Sequence, residues 1–135
     1  MPRTTVLVVD DDKNTLQSLD FILTAAGFDV LTATDGQSAL ARIRSGIGTP
    51  GTVRLLITDI QIPGHSGLEL IDEIHRMRIG LPVLVITAYR DRHLEDELQS
   101  RGCTEVLDKP LDEERLIGRV KRSVARADPP AQSQR

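Results

Sequence analysis

Five short apolar runs punctuate the chain, and between them apolar positions recur every three or four residues. The runs are Thr5 to Val9, Phe28 to Ala33, Val53 to Thr58, Pro82 to Ile86 and Cys103 to Leu107. Most of them lack the alternation of a sheet with one wet face, which marks strands covered on both sides. The spaced stretches predict helices over Lys13 to Ala26, from Asp35 through Ala39, Leu40 and Ile43, and over Gly67 to Arg78, Arg90 to Arg101 and Glu113 to Ala127. The third of these is expected to turn Leu68, Ile71, Ile74 and Met77 inward. The fourth has only Leu94 and Leu98 on its apolar face, so it is expected to be loosely held. Strand followed by helix five times implies right-handed crossovers and a parallel sheet, an α/β domain over residues 1–127. Gly46 to Gly51 reads as a flexible loop, and 128–135 as a disordered tail or the start of a linker.

In a parallel sheet the carboxyl ends of the strands share one edge, where ligands and chemistry gather. That edge would collect Asp10 and Asp11 after the first strand, Asp59 after the third, Thr87 at the end of the fourth and Lys109 after the fifth. Asp59 is the centre of the set, delivered by Leu55-Leu56-Ile57-Thr58 to the mouth of a loop containing Pro63 and Gly64. Two like unit charges about 4 Å apart repel by roughly 4 kcal/mol at an effective dielectric near 20. Three carboxylates in one cleft therefore take up protons or bind cations, and a divalent metal together with Lys109 would relieve them. An all-oxygen donor set favours Mg²⁺, with Mn²⁺ as the alternative ion. An ionised aspartate can attack phosphorus to form an acyl phosphate, while metal, ammonium and hydroxyl hold the transferring oxygens. Asp12 reads as the N-cap of the first helix in preference to a metal ligand.

Composition narrows the function classes. With 17 basic and 20 acidic residues the formal net charge is −3, which argues against direct nucleic-acid binding by this segment. The lone Cys103 excludes an internal disulfide and favours a reducing compartment. No secretory signal and no membrane-spanning run is legible, so a cytoplasmic location is expected. Phe21, Phe28 and Tyr89 are the only aromatic residues, which leaves the core to aliphatic side chains. His65, His75 and His93 read as solvated residues, and Cys103 as a small core residue.

Four motifs, taken in order, resemble the receiver domain of response regulators, the phosphoacceptor module of two-component signalling. They are Val8-Val9-Asp10-Asp11-Asp12, Asp59-Ile60-Gln61-Ile62-Pro63 with Gly67-Leu68-Glu69-Leu70, Ile86-Thr87-Ala88, and Asp108-Lys109-Pro110. The spacings are 28 residues from Asp59 to Thr87 and 22 from Thr87 to Lys109. The resemblance implies a flavodoxin-like, doubly wound five-stranded sheet of order 2-1-3-4-5. It implies that Asp59 accepts a phosphoryl group from a histidine kinase or histidine phosphotransfer protein. It further implies that Asp10, Asp11, Asp59 and the backbone carbonyl of Gln61 bind Mg²⁺, and that Thr87 and Lys109 engage the phosphoryl group.

Tyr89 and Gln61 would border that group and modulate its lifetime. Val106 stands three residues before Lys109, where the family often has Tyr or Phe, so coupling is expected through backbone shifts or Tyr89 instead. Kinase docking is expected on the first helix and the loop before the fifth. Readout is expected on the fourth helix, fifth strand and fifth helix, toward a downstream protein, a C-terminal output domain or a phosphorylation-dependent homodimer. No turnover of a separate substrate is expected.

Two other classes stay open on the sequence. Asp10-x-Asp12 after an apolar strand is similar to haloacid-dehalogenase-type phosphatases, whose nucleophile would be Asp10, although Thr15 is then one place out of register. A non-signalling scaffold with a vestigial site is the third reading, and the intact Asp10, Asp11, Asp59, Thr87 and Lys109 set speaks against it.

Overall fold

The computed structural model describes residues 3–62, 66–103 and 105–127. Pro63, Gly64 and His65 of the loop after Asp59, and the 128–135 segment, lie outside the described residues. The elements are β1 (Thr5–Val9), α1 (Lys13–Ala25), β2 (Asp29–Ala33), α2 (Gly36–Gly46), β3 (Val53–Asp59), α3 (Gly67–Met77), β4 (Val83–Thr87), α4 (Arg92–Ser100), β5 (Val106–Asp108) and α5 (Glu113–Ala127). All strand pairs are parallel, in the order β2-β1-β3-β4-β5. This is the flavodoxin-like arrangement expected from the sequence.

The unbroken strands are explained by a core on each face. Val6 and Val8 of β1 and Leu55 and Ile57 of β3 pack with Leu16, Leu19 and Leu23 of α1 and Leu116 and Val120 of α5. The alternate residues Leu7, Val9 and Leu56 face the other way, against Leu40 and Ile43 of α2 and Leu70 and Ile74 of α3. A third cluster joins Ile71, Val85, Leu98, Cys103 and Val106. Alternation is present in every strand; both destinations are apolar, so the sequence does not display it.

Several boundaries differ from the sequence reading, and helix termination explains two of them. Gly27, at φ +104°, ends α1, with Gly27 N–H donating to Thr24 O and Phe28 N–H to Leu23 O. Gly102, at φ +76°, ends α4 in the same way, with Gly102 N–H donating to Gln99 O and Cys103 N–H to Leu98 O. In such a cap the residue after the glycine bonds back into the helix. Phe28 and Cys103 therefore belong to caps, and β2 and β5 start later than their apolar runs. The fourth helix starts at Arg92 because Asp91 caps it, accepting from Leu94 N–H. Leu70, unexpected from the pattern, is fully buried in α3, while Leu68 is only partly buried. The Gly46–Gly51 connection is a knit turn in which Gly46 O accepts from Thr49 Oγ1 and Thr52 Oγ1. Phe21 and Tyr89 are exposed, and Phe28 alone of the aromatics joins the core.

Candidate functional site

Parallel pairing brings four strand ends into line. Val9 is level with Thr58, Asp59 with Ile86, and Thr87 with Asp108. Beyond the strands, Asp10 N–H donates to Ala33 O, and Lys109 N–H donates to Thr87 O at 2.8 Å. These backbone bonds fix where the Asp10 and Lys109 side chains begin.

Lys109 joins the two carboxylates. Its Nζ lies 2.8 Å from Asp10 Oδ2 and 2.7 Å from Asp59 Oδ2. The remaining oxygen of each aspartate is also engaged: Asp10 Oδ1 accepts from Asp12 N–H at 2.9 Å, and Asp59 Oδ1 from Gln61 N–H at 3.1 Å. The Asp10 side chain is 0% exposed and that of Asp59 13%. Burial pushes the Asp10 carboxyl above the ordinary carboxylate value, against the pull of the Lys109 and Asp12 hydrogen bonds. Burial also disfavours the Lys109 ammonium, yet its bonds to Asp10 and Asp59 outweigh that effect and hold its pKa above the usual lysine value.

The other sequence-predicted residues lie around this triad. Asp11 is exposed at the same edge. Asp12 caps α1 as expected, accepting from Asn14 N–H at 3.1 Å and Thr15 Oγ1 at 2.8 Å. Gln61 is exposed and meets Asp59 through its backbone amide. Thr87 is 5% exposed, and its hydroxyl is turned to the backbone of Tyr89, donating to the carbonyl at 3.0 Å and accepting from the amide at 3.1 Å. Tyr89 is 81% exposed. Val106 is buried beside Val85 and Leu98.

Gly67 packs against the end of β3: its N–H donates to Ile60 O at 2.6 Å, and a Cβ there would sit 2.7 Å from both Asp59 O and Ile60 Cα. Sequence reading found Gly67 as part of a motif but not this close approach. It also missed Arg90, which pairs with Asp108 beside Lys109; an ion pair between residues distant in sequence leaves no local signal.

The donor set fits a hard divalent cation. Asp10, Asp11 and Asp59 offer only oxygen, and Mg²⁺ takes one or two carboxylates and completes its shell with water and phosphate oxygens. Among the described residues no group of three acidic, His or Cys side chains is gathered closely enough to hold a metal, and Asp10 and Asp59 both contact Lys109. Asp10, Asp11, Asp59 and the Gln61 carbonyl are the groups that would hold the ion.

The fold is thus a doubly wound parallel α/β domain with two carboxylates on one lysine at the carboxyl edge of its sheet. The family model of the response regulator receiver domain matches residues 6–121, and the chain belongs to that family. The transcriptional regulatory protein FixJ of Bradyrhizobium diazoefficiens is 30% identical over 130 residues, covering 96% of this chain and 60% of the relative. FixJ of Azorhizobium caulinodans is 34% identical over 122 residues, covering 90% of this chain and 56% of the relative. The chain thus spans somewhat more than half the length of these relatives. The CheY-like receiver domain from Methanospirillum hungatei superposes with a TM-score of 0.83 at 25% identity, covering 93% of this chain and 97% of that one. Among the described residues no helix is long and apolar enough to cross a membrane.

Proposed function

We propose that Asp59 is the phosphoacceptor of a two-component switch occupying residues 1–127. The observation that carries this reading is the double ion pair of Lys109 with Asp10 and Asp59. It holds the Asp59 carboxylate at the sheet edge and sets a cation where a phosphoryl group would arrive. Asp59 is the more accessible carboxylate of the pair, which favours it over Asp10 as nucleophile and so favours signalling over the dehalogenase-like reading.

In the step itself an Asp59 oxygen forms a bond to phosphorus. The bond from phosphorus to the donor's imidazole nitrogen breaks, and its electron pair leaves on that nitrogen. Bound Mg²⁺, or Mn²⁺, supplies charge neutralisation of the transferring oxygens. Lys109 retains its place beside Asp59 and gains the phosphoryl oxygens as partners. Thr87 turns its hydroxyl from Tyr89 to the same group, and Gln61 and Tyr89 flank it and set its lifetime. Asp10 and Asp11, one buried and one exposed, hold the cation. The domain acts on its own carboxylate and turns over no separate substrate.

A histidine kinase or histidine phosphotransfer protein is the donor. A groove of about 420 Å³ between α1 and the loop before α5, lined by Thr15, Ser18, Ile22, Pro110 and Leu111, opens beside Lys109 and suits a docked helix. The longer relatives carry names of transcriptional regulators. That supports an output domain joined to this one, with a separate downstream protein or a phosphorylation-dependent homodimer as the other readouts.

Incubation with acetyl phosphate and Mg²⁺, followed by intact mass, tests this function. A phosphate-sized gain that needs Mg²⁺ and is lost in Asp59→Asn supports it. Loss in Asp10→Asn with survival in Asp59→Asn would replace it with the phosphatase-like mechanism.

A further inference from the structure

Phosphorylation changes a partner's affinity only if contacts that differ between the two states reach a surface. Val106 provides no aromatic ring to carry such a change. The loop after Thr87 provides another route. The Thr87 hydroxyl is fastened to Tyr89 at both N–H and C=O. The next residue, Arg90, reaches in two directions. Its Nε lies 3.0 Å from Glu95 Oε2 in the first turn of α4, and its Nη1 lies 3.3 Å from Asp108 Oδ2, the last residue of β5 and the neighbour of Lys109.

The two ends of α4 are held unequally. At the carboxyl end Arg101, 21% exposed, bonds Asp72 of α3 through Nε at 2.9 Å and Nη2 at 3.3 Å, and Glu97 through Nη1 at 2.6 Å. At the amino end Arg90, Glu95 and Asp108 are 37%, 54% and 59% exposed, and exposed pairs are held weakly. Between the two ends, Leu98 is the only residue of α4 that is fully buried.

Resting on Asp59 being phosphorylated, we infer that Arg90 is the releasable tether that couples the Thr87 hydroxyl to α4. A hydroxyl has one proton, so Thr87 cannot donate to Tyr89 O and to a phosphoryl oxygen together. When it turns to the phosphoryl group, the bond it donates to Tyr89 O is lost, the loop loosens and Arg90 is drawn off Asp108 and Glu95. The amino end of α4 then moves, pivoting on the Arg101 anchor, and exposes a face for a partner.

Hydrogen exchange followed by mass spectrometry, with and without acetyl phosphate and Mg²⁺, tests this. In the wild type, phosphorylation is expected to raise exchange across 92–98 about threefold and leave the α5 peptides unchanged. In Arg90→Ala, exchange across 92–98 is already raised without the phosphodonor and rises no further with it, while intact mass still shows the adduct. Two results would overturn the tether: wild-type protection of α4 in unphosphorylated Arg90→Ala, or a full phosphorylation-dependent rise in that variant. Absence of an adduct on the wild type would instead defeat the Asp59 reading and the coupling with it. Exchange in unphosphorylated Arg90→Ala would still decide whether Arg90 holds α4.

Discussion

Lys109 Nζ and Asp59 Oδ2 meet at 2.7 Å across 50 residues of sequence, and the same ammonium holds the buried Asp10 at 2.8 Å. One cation thus stands between two carboxylates that repel each other. The charge it supplies is the charge that a metal or a phosphoryl group would share.

Removal of that ammonium has a signed consequence. Lys109→Ala leaves a buried carboxylate without its counter-ion, which costs about 1–3 kcal/mol. Mg²⁺ is expected to recover more of this in the variant than it adds to the wild type. Thermal unfolding with Mg²⁺ and with chelator checks it, and equal gains in both proteins would refute the shared role.

The buried Asp10 predicts a pH dependence. Its pKa is raised in the fold above an ordinary value of 3.8, so the folded state binds its proton more tightly than the unfolded state does. The stabilisation is fully present below the ordinary value and is lost as pH rises through the folded one. Relative to Asp10→Asn, the wild type should therefore be less stable when measured at about pH 7 than at about pH 4. Urea titrations at both pH values measure the difference. A gap that shrinks with rising pH contradicts burial as the dominant cause.

Asp12 and Asp10 are close in sequence but differ in predicted role. Asp12→Ala removes the acceptor for Asn14 N–H and Thr15 Oγ1 and should cost about 1 kcal/mol of stability. Mg²⁺-dependent adduct formation should persist. Its loss in a folded Asp12→Ala protein would make Asp12 a ligand.

Gly67→Ala places a Cβ 2.7 Å from the backbone of Asp59 and Ile60. Backbone cannot swing aside as a side chain does, so destabilisation of about 1–3 kcal/mol is expected, with slowed adduct formation as Asp59 is displaced. Denaturant midpoints and adduct kinetics measure both effects.

The residues that carry the site were legible because they sit at strand ends, where parallel topology converts sequence position into spatial convergence. Asp10, Asp59 and Lys109 needed only the order of elements to be brought together. The extents of β2 and β5 were not legible, since Phe28 and Cys103 are apolar in composition but follow cap glycines. Leu70 escaped because α3 is apolar on both sides of its sheet-facing stripe, and spacing alone did not choose between Leu68 and Leu70. The Thr87 hydroxyl bonds and the Arg90 bridges depend on loop conformation and long-range pairing, neither of which has a period.

The central claim is the identity of the phosphorylated atom, and trapping it is the most direct measurement. Borohydride reduces an aspartyl phosphate to the alcohol, so protein treated with acetyl phosphate and Mg²⁺, then reduced and digested, should carry homoserine at position 59 alone. Homoserine at position 10, or no reducible adduct despite a phosphate mass gain, would contradict the account.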